Sequence, residues 1–508
     1  MIRLFATLLL LPGTSCAAET LGYHEVRTDG AGRIVPWYGT GPSQAYDHAI
    51  RLVWDFWRGM RACPNGVPYY LQHQVWKADQ DDPRGLGGDQ IGMALSSWNL
   101  LYGYLGDPAV KANMILIADY WLAHGMSPAD SRHARWANLP YPYKMDVHSD
   151  RYDGDMRAGK GFLQPDKAGS FGAELAMLYK MTGDRKYVDA AVGIANTLAA
   201  RAQPGDDENS PWPFRVHALT GEVHRETKDG KTNSASYTSN WTGTLRLFDD
   251  LIALRQGNVA QYARARDLVV AWLKRYPLKT NRWGPFFEDI PTSAPSDTEI
   301  NADTLAAWIL EHPAWDPDWR GQAKGALDWS YRTFANQEFT KWHVIPINEQ
   351  TAYQVPGNSH TSRHASVDLL YCEKTGDCTS KDAAIRRLNW ATYMVDTDGK
   401  NRYPGDDIWL TDGYGDYVRH YLRAMASAPE LAPDDRNHLL RTSSVVRSIE
   451  YGAGRIGYRK FDAESTERFK MGAWAPKSVV GGAMQWDAGA KVLTVRARDK
   501  VVTIQAAR

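Results

Sequence analysis

The fold is decided by a short stretch, Leu101-Tyr-Gly-Tyr-Leu-Gly-Asp107, which recurs in degenerate form along the chain. The other copies are Leu178-Tyr-Lys-Met-Thr-Gly-Asp184 and Leu370-Tyr-Cys-Glu-Lys-Thr-Gly-Asp377, the last with one extra residue. Each copy follows one apolar, helix-like run and precedes another. Glycine readily adopts the left-handed conformation that ends a helix, and aspartate caps the start of the next helix. The repeat therefore predicts a series of helical hairpins.

Other pairs of helical runs lack this turn. Residues 245–254 precede 259–273, residues 304–310 precede 319–334, and residues 44–60 add one helix near the start. The loops between hairpins are long and rich in Pro, Gly, Asp, Trp and His, unlike those of short-loop solenoids. We therefore predict a mainly α protein, an (α/α) toroid of six to seven hairpins over about residues 44–427, whose polar loops meet at one mouth.

The tail of the chain changes character. From residue 448 onward, short alternating runs such as 491–496 and 501–504 are separated by glycines, a pattern typical of antiparallel strands. We assign residues 1–18 to a signal peptide, 19–445 to the toroid catalytic domain and 446–508 to a small C-terminal antiparallel β-module.

The N-terminus indicates export. Arg3 precedes an apolar run over residues 4–11, and small residues lead to a cleavage position near Ala17. The apolar run is too short to span a membrane, so we expect a periplasmic or secreted protein. Lipid anchoring at Cys16 is the less favoured alternative, because Gly13 stands where a lipoprotein signal normally carries a large aliphatic residue.

In such an oxidising compartment, Cys372 and Cys378 could form a disulfide around a turn. Cys63 would then remain as a buried free thiol. None of the cysteine spacings matches a zinc site.

The composition limits the partners. The 59 basic residues balance the 59 acidic ones, so no overall charge attracts nucleic acid or an anionic membrane, and we expect neither partner nor a membrane span. Tryptophan and tyrosine, at 20 and 26 residues, outnumber the 12 phenylalanines; their flat rings suit sugar stacking and a helical core equally. Phosphate-binding, dinucleotide and nucleophile-elbow motifs are absent, and we assign no cofactor and no metal.

Five segments concentrate polar and aromatic side chains without helical periodicity, which on a rigid scaffold is typical of functional loops. They cover residues 141–164, 236–241, 281–303, 348–364 and 401–417. The alternating Asp and His of the first favour a solvated turn over a cation-binding loop. The fourth is the most distinctive, since capping a helix does not require two histidines and an arginine. The candidate residues are Lys160, Tyr237, Asn240, Trp241, Arg282, Trp283, Glu288, Tyr353, Asn358, His360, Arg363 and His364.

Four phrases within these segments resemble bacterial α-toroid polysaccharide lyases of the alginate and glucuronan type, such as polysaccharide lyase family 38. They are Tyr-Thr-Ser-Asn-Trp at 237–241, Asn-Arg-Trp-Gly-Pro-Phe-Phe-Glu-Asp at 281–289, Ile-Asn-Ala at 300–302 and Gly-Asn-Ser-His-Thr-Ser-Arg at 357–363. The resemblance covers about residues 44–427. It implies β-elimination at a uronic acid, and hence an anionic polysaccharide or oligosaccharide as the substrate.

Such chemistry needs a neutraliser for the uronate carboxylate, a base for the C5 proton and an acid for the leaving oxygen. Asn240 and Arg363 are the candidate neutralisers, with Glu288 as a further one. His360 is the candidate base, with His364 second. Tyr353 is the candidate acid, with Tyr237 second. The remaining candidates are assigned to substrate binding: Trp241 and Trp283 by ring stacking, Arg282 and Lys160 by charge, and Asn358.

Two other functions remain open. A glycoside hydrolase on the same toroid would use paired carboxylates, Glu288 or Asp289 with Glu349 or Asp412. A non-catalytic sugar-binding scaffold would bind oligosaccharide without shortening it. Only the lyase produces a carbon–carbon double bond, so its ultraviolet absorbance separates these alternatives.

Overall fold

The structure is a computed structural model, and it describes residues 19–77, 80–82, 87–146, 149–287, 291–292, 296–401 and 414–506. The predicted signal peptide and the candidates Glu288, Asp289 and Asp412 lie outside the described residues. Within the described part of the chain, no helix has the length and apolarity needed to cross a membrane.

The described residues form fourteen α-helices and three short 3-10 turns. The helices are α1 (Pro42–Gly59), α2 (Tyr69–Gln72), α3 (Gly88–Leu105), α4 (Pro108–His124), α5 (Pro165–Thr182), α6 (Arg185–Arg201), α7 (Thr242–Leu254), α8 (Val259–Arg275), α9 (Pro277–Thr280), α10 (Glu299–Glu311), α11 (Trp319–Phe334), α12 (Asn358–Thr375), α13 (Lys381–Thr392) and α14 (Tyr414–Ser427). The 3-10 turns are Pro313–Trp315, Gln337–Trp342 and Pro429–Leu431.

Six of these helices form a closed inner ring. Helices α3, α5, α7, α10, α12 and α14 each contact the next, and α14 contacts α3. Helices α4, α6, α8, α11 and α13 each pack on the inner helix that precedes them, and α1 packs on α14 and α13. Five hairpins and the pair of α14 with α1 result, six helix pairs in all, which confirms the predicted (α/α) toroid.

The two layers of helices differ in burial as their sequences require. The inner helix α5 is buried nearly all round, and its Gly169 lies so close to α7 that an added Cβ would come within 1.9 Å of the Thr244 hydroxyl. The outer helix α6 buries a single stripe, from Tyr187 and Val188 to Leu198, as expected for an amphipathic helix on a core.

The repeated glycine–aspartate turns connect inner to outer helices. Gly106, Gly183 and Gly376 all have positive φ, between 70° and 82°. The Asp107 and Asp184 side chains cap α4 and α6 as predicted. The third copy differs, because α13 begins only at Lys381 and the Cys372–Cys378 disulfide closes the intervening turn.

All the long connections lead from an outer to an inner helix, and all the short ones from an inner to an outer helix. The long loops therefore gather where the inner helices begin. We call this side the loop end and the opposite side the module end. Short antiparallel pairs of strands stiffen these loops and the N-terminal segment: β1 (Thr20–Leu21) with β2 (His24–Glu25), β3 (Gln74–Lys77) with β4 (Gln80–Asp82), β5 (Gly154–Asp155) with β6 (Gly159–Lys160), β7 (Phe162–Leu163) with β8 (Val216–His217), β9 (Arg225–Lys228) with β10 (Lys231–Ser234), and β11 (Asn348–Gln350) with β12 (Tyr353–Pro356).

The C-terminal region forms the predicted antiparallel β-module. Its strands are β13 (Asn437–Thr442), β14 (Val446–Gly452), β15 (Arg455–Lys460), β16 (Ser465–Met471), β17 (Pro476–Val480), β18 (Gly482–Asp487), β19 (Val492–Ala497) and β20 (Val501–Ala506). They make two four-stranded sheets, ordered β13-β16-β19-β18 and β14-β15-β20-β17. The module begins before the predicted boundary at residue 446, because β13 pairs along its length with β16.

The module covers the end of the ring where the inner helices finish. The His438 ring stacks on Tyr104 of α3, with the centroids 3.9 Å apart, and the Tyr451 hydroxyl donates to the Gly103 carbonyl. Arg447 donates to the Lys180 carbonyl in the last turn of α5. One continuous hydrophobic core includes residues of both the ring and the module, so the module is built into the toroid.

Candidate functional site

A cavity of about 340 Å³ runs along the ring axis. It is lined by side chains from all six inner helices and from β13 and β14 of the module. Lys167, Asn240 and Phe286 border it toward the loop end and are buried, whereas Glu311 and Arg423 toward the module end are exposed. The cavity therefore has an enclosed polar part and a part that is more open to solvent.

An ion-pair group centred on Asp166 borders the enclosed part. Asp166 lies in the first turn of α5 and accepts hydrogen bonds from Asn240 Nδ2 at 2.8 Å and Lys167 Nζ at 2.9 Å. Lys167 also donates to the Phe286 carbonyl at 2.6 Å, and its ammonium lies 3.6 Å from the centroid of that ring. The second oxygen of Asp166 is buried without a hydrogen-bond partner among the described residues. The site thus places an ammonium and an amide on the cavity wall beside a helix N-terminus.

The local chain geometry places Asn240 there. Asn240 lies two residues before α7. In this segment the backbone N–H of Trp241 donates to the Ser239 carbonyl, and the backbone N–H of Asn240 donates to the Thr238 hydroxyl. The Ser239 hydroxyl in turn donates to the Trp283 carbonyl at 2.6 Å. Segments 238–241 and 283–286 are thereby fixed to each other at the loop end.

A second buried group is centred on Glu299, the first residue of α10. One carboxylate oxygen of Glu299 lies 2.5 Å from His360 Nδ1 and 2.7 Å from Arg363 Nη1, both in the first two turns of α12. The other ring nitrogen of His360 lies 3.7 Å from the Glu349 carboxylate. All four side chains are at most 10 % exposed.

This environment sets the protonation of His360. Burial alone would lower its pKa, but the hydrogen bonds and charges of Glu299 and Glu349 outweigh that effect and raise the pKa to about 9. Burial also raises the pKa of Glu299, against the opposing charges of Arg363 and His360. We take the raised pKa of His360 as the dominant effect, because a carboxylate faces each of its ring nitrogens, so the ring is charged at neutral pH.

One segment connects the two groups. Phe286, which accepts the Lys167 hydrogen bond, packs edge-on against Phe287, and the Phe287 ring lies 5.8 Å from that of His360. The Asn301 amide, in the first turn of α10, donates to the carbonyls of residues 283–285. The Asp166 and Glu299 groups therefore belong to one end of the ring.

The four residues on which the predicted mouth depends all lie at this end. Asn240 precedes α7, Tyr353 lies on β12 just before α12, and His360 and Arg363 belong to the first two turns of α12. Helix α12 begins at Asn358, slightly earlier than the sequence suggested, so His360 lies within its first turn. Tyr353 is 39 % exposed, whereas Asn240, His360 and Arg363 are buried.

The structure contradicts several of the predicted roles. Trp241 and Trp283 are fully buried in the core, against Trp212 and Trp329, so neither presents a face to a sugar. Tyr237 is buried, its hydroxyl donates to a backbone carbonyl, and burial raises its pKa, so it does not fit the second candidate acid.

The histidines also differ from their predicted roles. His360 is enclosed, a carboxylate faces each of its ring nitrogens and its pKa is raised to about 9, so it does not fit its predicted role as the general base. His364 has a raised pKa despite its burial, owing to Asp303 at 2.9 Å and Asp368, so it does not replace His360 as a base.

The remaining predicted binding residues are held by local contacts. Arg282 lies over the Tyr237 ring and pairs with Glu208. Lys160 forms an ion pair with Asp153 at 3.0 Å, and its side chain is 77 % exposed. The Asn358 amide is buried and donates to Asn401. None of these three side chains lines the axial cavity described above.

Sequence reasoning missed Asp166 and Lys167, which resemble ordinary residues of a first helical turn. It also missed the buried pair of Asp155 and Arg215, 3.2 Å apart at the loop end. The only sequence signal for Asp155 is its place in the acidic segment 141–164. Glu299 stood in a segment already marked as polar, but nothing in the sequence identified His360 and Arg363 as its partners.

Comparison with known proteins gives a fold and no family. No protein-family model and no curated protein matches the chain. Among solved structures, a sugar epimerase from a ruminal bacterium aligns with a TM-score of 0.56 and 12% identity, over 76% of this chain and 98% of that one. The cellobiose 2-epimerase from Spirochaeta thermophila DSM 6192 aligns with a TM-score of 0.54 and 10% identity, over 77% of this chain and 97% of that one. A D-mannose isomerase aligns with a TM-score of 0.54 and 10% identity, over 78% of this chain and 99% of that one. At these identities, the likeness establishes the toroid fold alone.

Proposed function

We propose that this chain is a carbohydrate-active enzyme and, more narrowly, a lyase that cleaves a uronic-acid polysaccharide such as glucuronan or alginate by β-elimination. The observation that carries the proposal is the pairing of Lys167 and Asn240 on the wall of the axial cavity, both anchored on Asp166. A uronate carboxylate needs donors of this kind, and a buried site strengthens their interaction with it.

β-Elimination proceeds in two linked proton transfers. A base removes the C5 proton, and the electron pair is delocalised into the neighbouring carboxylate as an enediolate. The C4–oxygen bond then breaks, a double bond forms between C4 and C5, and an acid protonates the departing oxygen. In this proposal, Lys167 and Asn240 hydrogen-bond the carboxylate and stabilise the enediolate, in the manner of an oxyanion hole.

The second polar group supports this site. His360 and Arg363 both contact the Glu299 carboxylate, and the Phe287 ring packs between the His360 ring and Phe286, which accepts the Lys167 hydrogen bond. We assign His360 and Arg363 as positioning residues. Tyr353 remains our proposed proton donor, because it is an accessible phenol at the loop end.

Two further observations agree with this function. The solved structures that share the fold bear the names of sugar epimerases and a sugar isomerase, which suits a saccharide substrate. The Cys372–Cys378 disulfide suits an oxidising compartment, and we propose that the chain is exported to the periplasm or secreted.

The test is incubation with glucuronan, alginate and pectic acid, followed by ultraviolet absorbance of the new double bond and sizing of the products. Asn240→Ala and Lys167→Met should each lower the rate by about 10²-fold or more. Lys324→Met is the matched control, since Lys324 pairs with Asp328 on the surface of α11. Wild-type rates in both site variants, or no unsaturated product from any uronan, would exclude the lyase.

Hydrolysis is the second candidate, and one observation favours it. Glu174 and Glu311 both line the cavity, and Arg246 contacts Glu174 at 2.9 Å. Paired carboxylates are what a glycoside hydrolase requires. Shortening of the polysaccharide without a double bond, abolished by Glu174→Gln and Glu311→Gln, would identify this reaction instead.

A further inference from the structure

Arginines accumulate in the axial cavity between its enclosed polar part and the module. Arg246 of α7, Arg419 and Arg423 of α14 and Arg441 of β13 all line the same space. Among the described residues, the acidic side chains that line it are those of Glu174 and Glu311. This part is accessible, because the Arg246 side chain is 41% exposed and Arg423 is exposed.

The module supplies one of these guanidinium groups in a fixed position. Arg441 donates to both carboxylate oxygens of Glu373, at 2.9 and 2.8 Å, and to the Ser427 hydroxyl. Arg468 of β16 shares the same carboxylate at 2.7 Å. A single glutamate therefore serves two arginines, which leaves an excess of positive charge at the junction of ring and module.

Arg246 and Arg419 are held on opposite sides of the ring, on α7 and α14. Arg246 pairs with Glu174, whose charge raises the pKa of the guanidinium. Arg419 donates to the Ser96 hydroxyl at 2.8 Å. A guanidinium has five N–H groups in a planar fork, and Arg246 donates one of them to Glu174, so this side chain retains donors for an anion in the cavity.

We propose that this part of the cavity is a second anion-binding subsite, built jointly by the ring and the β-module, and that it takes a carboxylate-bearing sugar unit. The sugar class rests on the proposed function. Guanidinium groups recognise carboxylates by paired, charge-assisted hydrogen bonds. At about 340 Å³, the cavity is at the small end of the range for small-molecule sites, which suits the end of a saccharide chain.

This assignment gives the module a part in recognition. The cavity continues from Arg441 to Lys167 and Asn240, so successive uronate units along the axis would meet a cationic group at each end. A neutral glucan of the same length fits the same space but gains none of the charge-assisted bonds.

Calorimetric titration of the full chain tests the proposal without using catalysis. The probe is a trimer of β-1,4-linked glucuronate, and cellotriose is the neutral counterpart. The Asn240→Ala background slows turnover by about 10²-fold or more. We expect the trimer to bind and cellotriose to bind at least about tenfold more weakly, a difference of 1.4 kcal/mol. The combined Arg246→Gln and Arg423→Gln substitutions should weaken trimer binding at least about tenfold.

Arg185→Gln is the matched control, since Arg185 pairs with Asp189 on the outer helix α6. Arg441→Gln is a separate variant, with thermal unfolding as a check because Arg441 also anchors Glu373. Unchanged trimer affinity in the double variant, equal affinity for cellotriose, or no binding of the trimer would each overturn the subsite. The two proposals can also fail separately. If the trimer binds, the double variant loses that binding and the protein forms no unsaturated product, the subsite stands and only the lyase is excluded.

Discussion

The protonation of His360 predicts how the stability of the protein depends on pH. His360 is 3% exposed, its Nδ1 contacts Glu299 at 2.5 Å, and its Nε2 faces Glu349. His360→Gln retains a polar side chain that can donate to a carboxylate but removes the titrating charge. We expect this variant to be less stable than the wild type at slightly acidic pH, and the difference to shrink as the pH rises.

The magnitude follows from the pKa. The folded protein raises the pKa of His360 from 6.5 to about 9, and each unit corresponds to 1.36 kcal/mol, so the charged form contributes about 3 kcal/mol to folding. Because the folded pKa lies above the unfolded one, this contribution is fully present below about pH 6.5 and is lost as the pH rises through about 9. The loss belongs to the coupled pair, because Glu299 shares the proton.

The assay is urea denaturation in steps between about pH 6 and pH 10, with the wild type and His360→Gln measured side by side. His133→Gln is the control, since His133 is exposed and pairs with Asp130 on the surface. A stability difference that stays constant across this range would refute the reasoning. A difference that grows as the pH rises would show that His360 is neutral in the folded protein.

Three further predictions concern the packing of the ring and the module. Glu373→Gln removes the carboxylate shared by Arg441 and Arg468 and should lower the free energy of unfolding by roughly 1–3 kcal/mol in urea titrations, whereas an unchanged midpoint would mean that this contact does not anchor the module. Replacing both Cys372 and Cys378 with serine opens a short loop and should cost roughly 2 kcal/mol on the chain-entropy account, measured as a lower thermal midpoint; a midpoint equal to that of the wild type would count against that account. Gly169→Ala places a methyl group against Thr244 of α7 and should destabilise by about 1–3 kcal/mol, whereas Gly325→Ala on the outer helix, where nothing lies within 4 Å, should be neutral or stabilising.

The sequence predicts those features that depend on local chemistry. A glycine that ends one helix and an aspartate that caps the next specify a turn by local chemistry, which is why the helical hairpins at Gly106 and Gly183 were predicted correctly. The strands of the tail were recognisable because alternation and glycine turns are also local. The closure of the ring is not local, since α14 packs on α3 and α1, and no periodicity encodes a contact between the two ends of a domain.

The individual site residues were harder to predict for the same reason. Trp241 and Trp283 stand in polar loop sequence, yet tertiary packing buries both rings completely. Lys167 lies on a helix, and only the approach of the Phe286 segment turns it into a buried ammonium. His360 was selected for its residue type, but its charge state depends on Glu299, which is 61 residues away in the chain.

The distribution of buried charge gives the strongest reason to expect function at the loop end. Asp155 with Arg215, Asp166 with Lys167 and the Glu299 group are all nearly inaccessible to solvent. Compared with apolar side chains of similar size, buried ion pairs of this kind stabilise a fold little, since their desolvation offsets most of the attraction between the charges. A toroid could close its ring with apolar side chains at these positions. Of these charged side chains, Lys167 lines the axial cavity, and buried charge beside a cavity is typical of a binding or catalytic site. The three groups gather where six helix N-termini add positive potential, which would favour the anionic sugar of the proposed function.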